Sequence, residues 1–351
     1  MPYTDLIGAV VTALAVTFFS IPSIIKISRI KHLFDKIDER RSHQTPIPTL
    51  GGVAMFAGLL FSFTFWASFG QTNNSQYILC AYIIIFLIGA KDDLVPLTAF
   101  KKFAGEIIAA VLLVYKADIR LTSLYGIFGL HEIPIWLSIP LSIFVILLII
   151  NALNLIDGID GLAASIGLLA CVVFGAWFYL FGKTDLAILA AALSGALLGF
   201  LHYNFVLRPA RIFMGDTGSL LIGLTMAILS IQFIEANKIW QNDWSIQSVP
   251  AVAVAILIVP LFDTLRVFTL RAARGKSPFQ PDKTHIHHLL LEIGFSHRQS
   301  TLILVIINSL FIVLAYYLQF LGTLILLLLL LAAAMLLTWL VFIKARQKSS
   351  S

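Results

Sequence analysis

From Leu6 to Phe342 the chain is a succession of apolar runs, each roughly 17 to 25 residues long, the length a helix needs to cross about 30 Å of hydrocarbon. Lipid offers backbone N–H and C=O groups no partner, so only helices or a closed barrel remain as ways to fold such runs. Strand-type alternation is absent, and the runs therefore predict an all-α, polytopic membrane bundle. With 59% hydrophobic and 12% charged residues among 351, and a mean hydropathy of +0.95, there is no material for a large soluble domain. The longest polar stretch runs from Arg271 to Arg298. The first run follows Asp5, has no basic residue before it and lacks a small-residue cleavage site, which predicts a retained span rather than a signal peptide. Cys80 and Cys171 both lie inside apolar runs as small hydrophobes and form neither a disulfide framework nor a metal pair.

Spans are expected near 5–25, 48–68, 76–90, 100–116, 134–151, 162–182, 186–203, 217–236, 248–270, 300–319 and 322–343, about eleven in all, so the two termini lie on opposite sides. All but four of the 24 Lys and Arg residues then fall on one side, the exceptions being Lys116, Arg120, Lys183 and Lys238. The positive-inside rule makes that side cytoplasmic, with the amino terminus outside and the carboxyl terminus inside. The net charge of +6 is mostly this topological signal and requires no nucleic-acid partner. No internal repeat or low-complexity linker interrupts a single domain over 1–351. The external loops, the longest between Ala117 and Pro134, hold few groups capable of chemistry.

On this topology every unusual polar cluster lands on the cytoplasmic face. The central one is Asn151 to Ser165, NALNLIDGIDGLAAS, at the mouth of an apolar run. Asn151, Asn154, Asp157 and Asp160 recur every third residue, so neighbouring pairs share a helix face. Gly158 and Gly161 allow close approach to a ligand or an end to the helix. Acids at a membrane boundary with no basic residue nearby in sequence call for a cation from elsewhere. Lys91, Asp92 and Asp93 end the third span, where adjacent side chains diverge by about 100° and so are expected to take different tasks, with an interfacial acid pair neutralised by Lys91 as the plain alternative. Lys101 and Lys102 open the next span and either bind a lipid phosphate or snorkel to the interface. Ser42 to Gly52, SHQTPIPTLGG, reads as a structural loop.

In Asn204 to Ser219, NFVLRPARIFMGDTGS, Asp216 stands at the start of an apolar helix, where free backbone N–H groups favour an anion. Asp216 and Asn204 are hard oxygen donors suited to Mg²⁺, with an ordinary helix cap as the plain alternative. Phe213 either stacks on a base or anchors at the interface. In SPFQPDKTHIHHLL, His285, His287 and His288 stand near Arg271 and Arg274 as phosphate, sugar or zinc ligands; zinc is the weaker reading, since no HExxH helix or cysteine partner appears.

KDD, NALNLIDGIDGL, NF followed by RPARIFMGDTGSL, and SPFQPDKTHIHH resemble, in order and over about 46–288, the polyprenyl-phosphate N-acetylhexosamine-1-phosphate transferases. HIHH, rather than an uninterrupted triple histidine, is similar to the N-acetylglucosamine branch. The resemblance implies transfer of a sugar 1-phosphate, GlcNAc-1-phosphate in that branch, from a UDP-N-acetylhexosamine to undecaprenyl phosphate with release of UMP. It implies a bacterial cytoplasmic membrane, a product that starts a cell-envelope glycan such as O-antigen, and Mg²⁺ as cofactor with Mn²⁺ able to substitute. A homodimer is compatible with it. By motif position Asp216 is the principal Mg²⁺ ligand and Asn204 a second. Asp92 orients or deprotonates the lipid phosphate, supported by Asp93, and Lys102 pairs with it. Asn154, Asp157 and Asp160 line the nucleotide side, and Phe213 stacks on uracil. His285, His287 and His288, helped by Arg271 or Arg274 in the loop 271–298, contact the diphosphate and sugar. Where many relatives carry another acid after the DD pair, this chain has Val95 and Pro96.

A proton- or ion-coupled transporter is the rival reading, since intramembrane acids and histidines also mark ion paths. Transporters place such residues near the bilayer midplane on broken helices, often within inverted repeats, whereas these acids cluster at cytoplasmic ends and no repeat is visible.

Overall fold

The computed structural model describes residues 3–33, 47–68, 75–207, 209–239, 245–273, 275 and 284–349. Within them the chain is helical almost throughout. Helices α1 (Tyr3–Ile30), α2 (Gly51–Trp66), α3 (Ser75–Leu94) and α4 (Ala99–Lys116) cover the first four expected spans. They are followed by α5 (Ile135–Ile156), α6 (Leu162–Leu180), α7 (Thr184–Leu201) and α8 (Gly215–Ile239). The remainder comprises α9 (Val249–Ile256), α10 (Ile258–Ala273), the short α11 (Ile286–Ile293), α12 (His297–Tyr317) and α13 (Thr323–Ser349). Seven of these helices are long and apolar enough to cross a membrane, and the α9–α10 pair makes an eighth if counted as one span. The protein is a multi-pass membrane protein.

Helix α8 is the post around which the others pack. Of its apolar window 94% is buried, against 22% for α1 and for α13, whose outer faces keep large apolar side chains exposed as lipid contact requires. Close approach at the start of α8 depends on missing side chains. A Cβ on Gly52 of α2 would lie 2.2 Å from the Gly218 nitrogen, and one on Gly89 of α3 would lie 2.5 Å from Thr217 Cα. Only glycine lets both helices reach the backbone of α8 at that point.

Two elements depart from the sequence reading. The run 248–270, expected as one span, is bent by 84° between α9 and α10. Pro260 lacks an N–H, and its ring would clash with the carbonyl of Ile256 in a straight helix. Fully buried Asn308 of α12 satisfies both backbone groups set free: its Nδ2 donates to Ile256 O at 2.9 Å and its Oδ1 accepts from Val259 N–H at 3.2 Å. Hydropathy registers the run and is blind to the break. The stretch 117–134, read as a plain loop, contains an antiparallel hairpin of β1 (Ser123–Ile127) and β2 (Leu130–Glu132). Its two-residue turn puts Phe128 and Gly129 at φ +56° and +76°, the left-handed geometry that matches strand twist. Glu235 of α8 secures the hairpin by accepting from Thr122 N–H at 2.7 Å and Thr122 Oγ1 at 2.6 Å.

Candidate active site

The start of α8 is set by backbone pairing. Phe213 N–H donates to Pro48 O at 2.7 Å, while Gly51 and Gly52 N–H donate to Phe213 O and Met214 O at 3.0 and 2.8 Å. The described part of SHQTPIPTLGG is thus the cradle that holds Phe213, half-buried, and delivers the chain into Asp216. The free N–H groups expected at this helix start are not free. Asp93, from the end of α3, accepts from Asp216 N–H at 2.7 Å, Thr217 N–H at 3.0 Å and Thr217 Oγ1 at 2.5 Å. The anion at the positive end of the α8 dipole is therefore an internal carboxylate, and Asp93 is placed as a cap supplied by another helix.

With its backbone held, Asp216 turns its carboxylate toward α4 and α5. Asp216 Oδ1 lies 2.7 Å from Lys102 Nζ and accepts from Asn154 Nδ2 at 2.5 Å. Lys102 is also 3.3 Å from Asp92 Oδ2 and reaches Asn154 Oδ1 at 3.5 Å. Asp92 Oδ1 accepts from Leu97 N–H at 2.6 Å, which fixes that carboxylate, and Asn154 Nδ2 also donates to Ser219 Oγ at 2.8 Å. The ends of α3 and α5 and the starts of α4 and α8 meet here, so Asp92, Lys102, Asn154 and Asp216 form one constellation. Lys102, expected to pair with a lipid phosphate, sits between two carboxylates. One ammonium against two carboxylates leaves an acidic balance that suits a further cation.

Beyond Ile156 the chain leaves α5 through Asp157 and re-enters helix at Gly161, whose φ of +74° requires glycine's freedom. Asn204, expected as a second oxygen ligand beside Asp216, is placed otherwise. It sits, 5% exposed, on the π-helical turn His202–Val206 that ends α7. Its Oδ1 accepts from Gly161 N–H at 2.7 Å and its Nδ2 donates to Ile212 O at 2.9 Å. It ties the Asp157–Gly161 turn to the Asp216 loop, and both amide atoms are spent on backbone. Asp157 is half-buried on that turn. Asp160 accepts from Thr301 Oγ1 through its carbonyl at 2.9 Å, and its Oδ2 is 3.5 Å from His297 Nδ1.

The histidine turn closes this side. His285 is buried at the start of α11, with Nδ1 2.8 Å from Asp263 Oδ2. His287, 1% exposed, stacks on His285 with ring centroids 5.6 Å apart and an interplanar angle of 11°, and His288 lies 4.3 Å from it on the other side. Among the described residues neither ring nitrogen of His287 has a hydrogen-bond partner. The ring packs directly over Gly158: a Cβ there would lie 2.4 Å from Nε2. Burial, with His288 adding to it, pulls the His287 pKa down to about 3, so the ring stays neutral near pH 7. Arg271 is buried on α10, and Arg274 lies outside the described residues.

Three residues of this region escaped the sequence reading. Asp263 stands inside an apolar run three residues before Arg266, the placement that marks intramembrane acids as functional. Glu106, 1% exposed, accepts from Asn151 Nδ2 at 2.6 Å and lies four residues after Lys102 on the same helix face, a spacing that was legible. His297 gave no signal, because its relation to Asp160 is purely spatial.

A family model for glycosyl transferase family 4 matches residues 75–234, the segment that carries Asp92, Lys102, Asn154, Asp157 and Asp216. The chain is 36% identical over 329 residues to a decaprenyl-phosphate N-acetylglucosaminephosphotransferase of Mycobacterium tuberculosis (strain CDC 1551 / Oshkosh), covering 87% of this chain and 80% of that protein. The chain belongs to glycosyl transferase family 4. It is likewise 33% identical over 328 residues to an undecaprenyl-phosphate alpha-N-acetylglucosaminyl 1-phosphate transferase of Escherichia coli O157:H7, across 90% of this chain and 84% of the relative. It is also 37% identical over 293 residues to a decaprenyl-phosphate N-acetylglucosaminephosphotransferase of Mycolicibacterium smegmatis (strain ATCC 700084 / mc(2)155), across 76% of this chain and 70% of that protein.

Proposed function

We propose that the protein transfers GlcNAc-1-phosphate from UDP-GlcNAc to a polyprenyl phosphate, undecaprenyl phosphate in a bacterial cytoplasmic membrane, with the site facing the cytoplasm. The observation that carries this reading is the convergence of Asp92, Lys102, Asn154 and Asp216 beside the turn where His287 packs on Gly158. An oxygen of the lipid phosphate attacks the phosphorus bonded to the sugar, the bridging P–O bond breaks, and UMP leaves. Asp92, fixed by Leu97, orients the acceptor phosphate, and Lys102 offsets charge between the two anions. The turns bearing Asp157 and Asp160, with His285, His287, His288 and Arg271, hold the nucleotide and sugar end, and Phe213 stacks on the base.

Among the described residues no group of three or more His, Cys, Asp or Glu side chains is gathered as a metal cage. Mg²⁺ does not need one: it is held by one or two carboxylates together with substrate phosphates and waters, and Asp216 with Asp92 fits that pattern. When bound there it would supply charge neutralisation for the transferring phosphoryl group. The basic asymmetry of the loops supports an outside amino terminus, a cytoplasmic carboxyl terminus and about eleven spans in a single domain over 1–351. The broken α9–α10 pair is a feature shared with transporters, but Asp92 and Asp216 gather at helix ends rather than at the break.

The test is UMP release by purified protein in detergent. Release that requires both UDP-GlcNAc and undecaprenyl phosphate and stops with EDTA supports the reading. No release across several detergent and lipid conditions overturns it.

A further inference from the structure

Asp263 lies outside the residues that contact either proposed substrate, yet it organises the histidine turn. It is 1% exposed on α10, just beyond the bend that Asn308 secures. Its Oδ1 accepts from Arg266 at 2.7 Å and Ile286 N–H at 3.0 Å, and its Oδ2 accepts from His285 Nδ1 at 2.8 Å. Arg266 also donates to Thr284 O, so the turn is held on both sides of His285. A buried carboxylate is costly unless donors surround it, and here donors from a guanidinium, an imidazole and the backbone do so. Because a carboxylate can only accept, Nδ1 is the protonated nitrogen of His285, and Nε2 is the one left on the far side of the ring. The parallel stack carries that orientation on to His287 and thence to Gly158.

We propose that Asp263 is a positioning residue for the donor substrate: it fixes the tautomer and tilt of His285, and through the stack the placement of His287, so that the turn meets a sugar diphosphate in one geometry. This rests on the transferase reading above. Asp263→Asn would present an amide N–H to Nδ1 and force the opposite tautomer without changing volume. UMP-release kinetics of Asp263→Asn, Asp263→Glu, His285→Ala and the double variant Asp263→Asn/His285→Ala test it.

The expected result is a KM for UDP-GlcNAc raised about tenfold or more in Asp263→Asn, the size expected when a charged hydrogen bond is lost. The KM for undecaprenyl phosphate stays within about twofold of wild type, Asp263→Glu recovers part of the donor KM, and the double variant is no worse than the stronger single one, as for two residues acting as one unit. An unchanged donor KM in folded Asp263→Asn, equal losses on both substrates, or multiplying effects in the double variant would overturn it. Failure of both Asp263 variants to fold would also overturn it, leaving Asp263 a structural anchor only. A wild-type protein without UMP release would instead remove the transferase reading itself.

Discussion

Replacing Lys102 with Met removes the one ammonium held between Asp92 and Asp216 while keeping most of the side-chain volume. The structure gives that nitrogen two carboxylate contacts, at 2.7 Å to Asp216 and 3.3 Å to Asp92. A hydrogen bond to a charged group is worth about 1.5–3 kcal/mol. Asp216 is about one-third exposed (32%), so solvent screening puts its contact at the low end of that range. On the proposed mechanism the ammonium exchanges these two contacts for contacts of like strength to the two phosphates, about 3 kcal/mol together, and at 1.36 kcal/mol per decade their loss is roughly a hundredfold. The loss should fall on kcat/KM for the acceptor, because on the proposed mechanism the missing charge is the one that offsets repulsion between the two phosphates. The assay is initial-rate UMP release at saturating UDP-GlcNAc with undecaprenyl phosphate varied, alongside thermal unfolding to confirm that the variant folds. A folded Lys102→Met enzyme within about threefold of wild type in kcat/KM would mean that the ammonium does no work at the reacting phosphates.

Gly158→Ala places a methyl 2.4 Å from His287 Nε2, so it should cost the about 1–3 kcal/mol typical of overpacking and raise the KM for UDP-GlcNAc about tenfold or more; an unaltered KM in the folded variant would separate that turn from the donor site. Asn308→Leu leaves Ile256 O and Val259 N–H unsatisfied in a buried bend and should cost about 2–4 kcal/mol in unfolding free energy, measured by denaturant titration in micelles. Asp93→Ala removes the cap from α8 and should cost about 1–2 kcal/mol, with the midpoint of thermal unfolding as readout. His287 is neutral when folded, with a pKa of about 3 against an ordinary 6.5, so the unfolded chain binds its proton first as pH falls. Stability should therefore drop between pH 6.5 and 3, by up to 1.36 kcal/mol per pH unit from this group, and His287→Gln should show a slope shallower by that amount in unfolding measured at pH 6.5 and 5.

The helices were legible because lipid leaves the chain few options. Apolar runs placed each expected span onto a helix or, at 248–270, onto a bent pair. What the runs could not show was the break at Leu257, since its backbone partner is Asn308, 49 residues beyond Val259. The hairpin after Ile119 was missed for a related reason: its short strands lack a clean alternation, and part of its hold comes from Glu235 on α8. Within the site, sequence reasoning singled out Asp92, Lys102, Asn154 and Asp216, and the structure brings them together. It misjudged what fills the positive end of α8, because Asp93 is 123 residues away from Asp216. It also took Asn204 for a metal ligand, when the oxygen that would bind holds Gly161 N–H instead. Asp263 stands out in the sequence only as an acid inside an apolar run, because its partner His285 lies 22 residues further on.

Asp216 and its neighbours are proposed to perform phosphosugar transfer to lipid. The most direct measurement is mass spectrometry of the lipid product formed by purified wild-type and Asp216→Asn proteins from UDP-GlcNAc and undecaprenyl phosphate across a series of Mg²⁺ concentrations. The expectation is undecaprenyl diphosphate-GlcNAc from wild type only when Mg²⁺ is present, and at least a hundredfold less, on the order expected for losing a principal charge contact, from folded Asp216→Asn. Equal product from the two proteins at ordinary Mg²⁺ would contradict it.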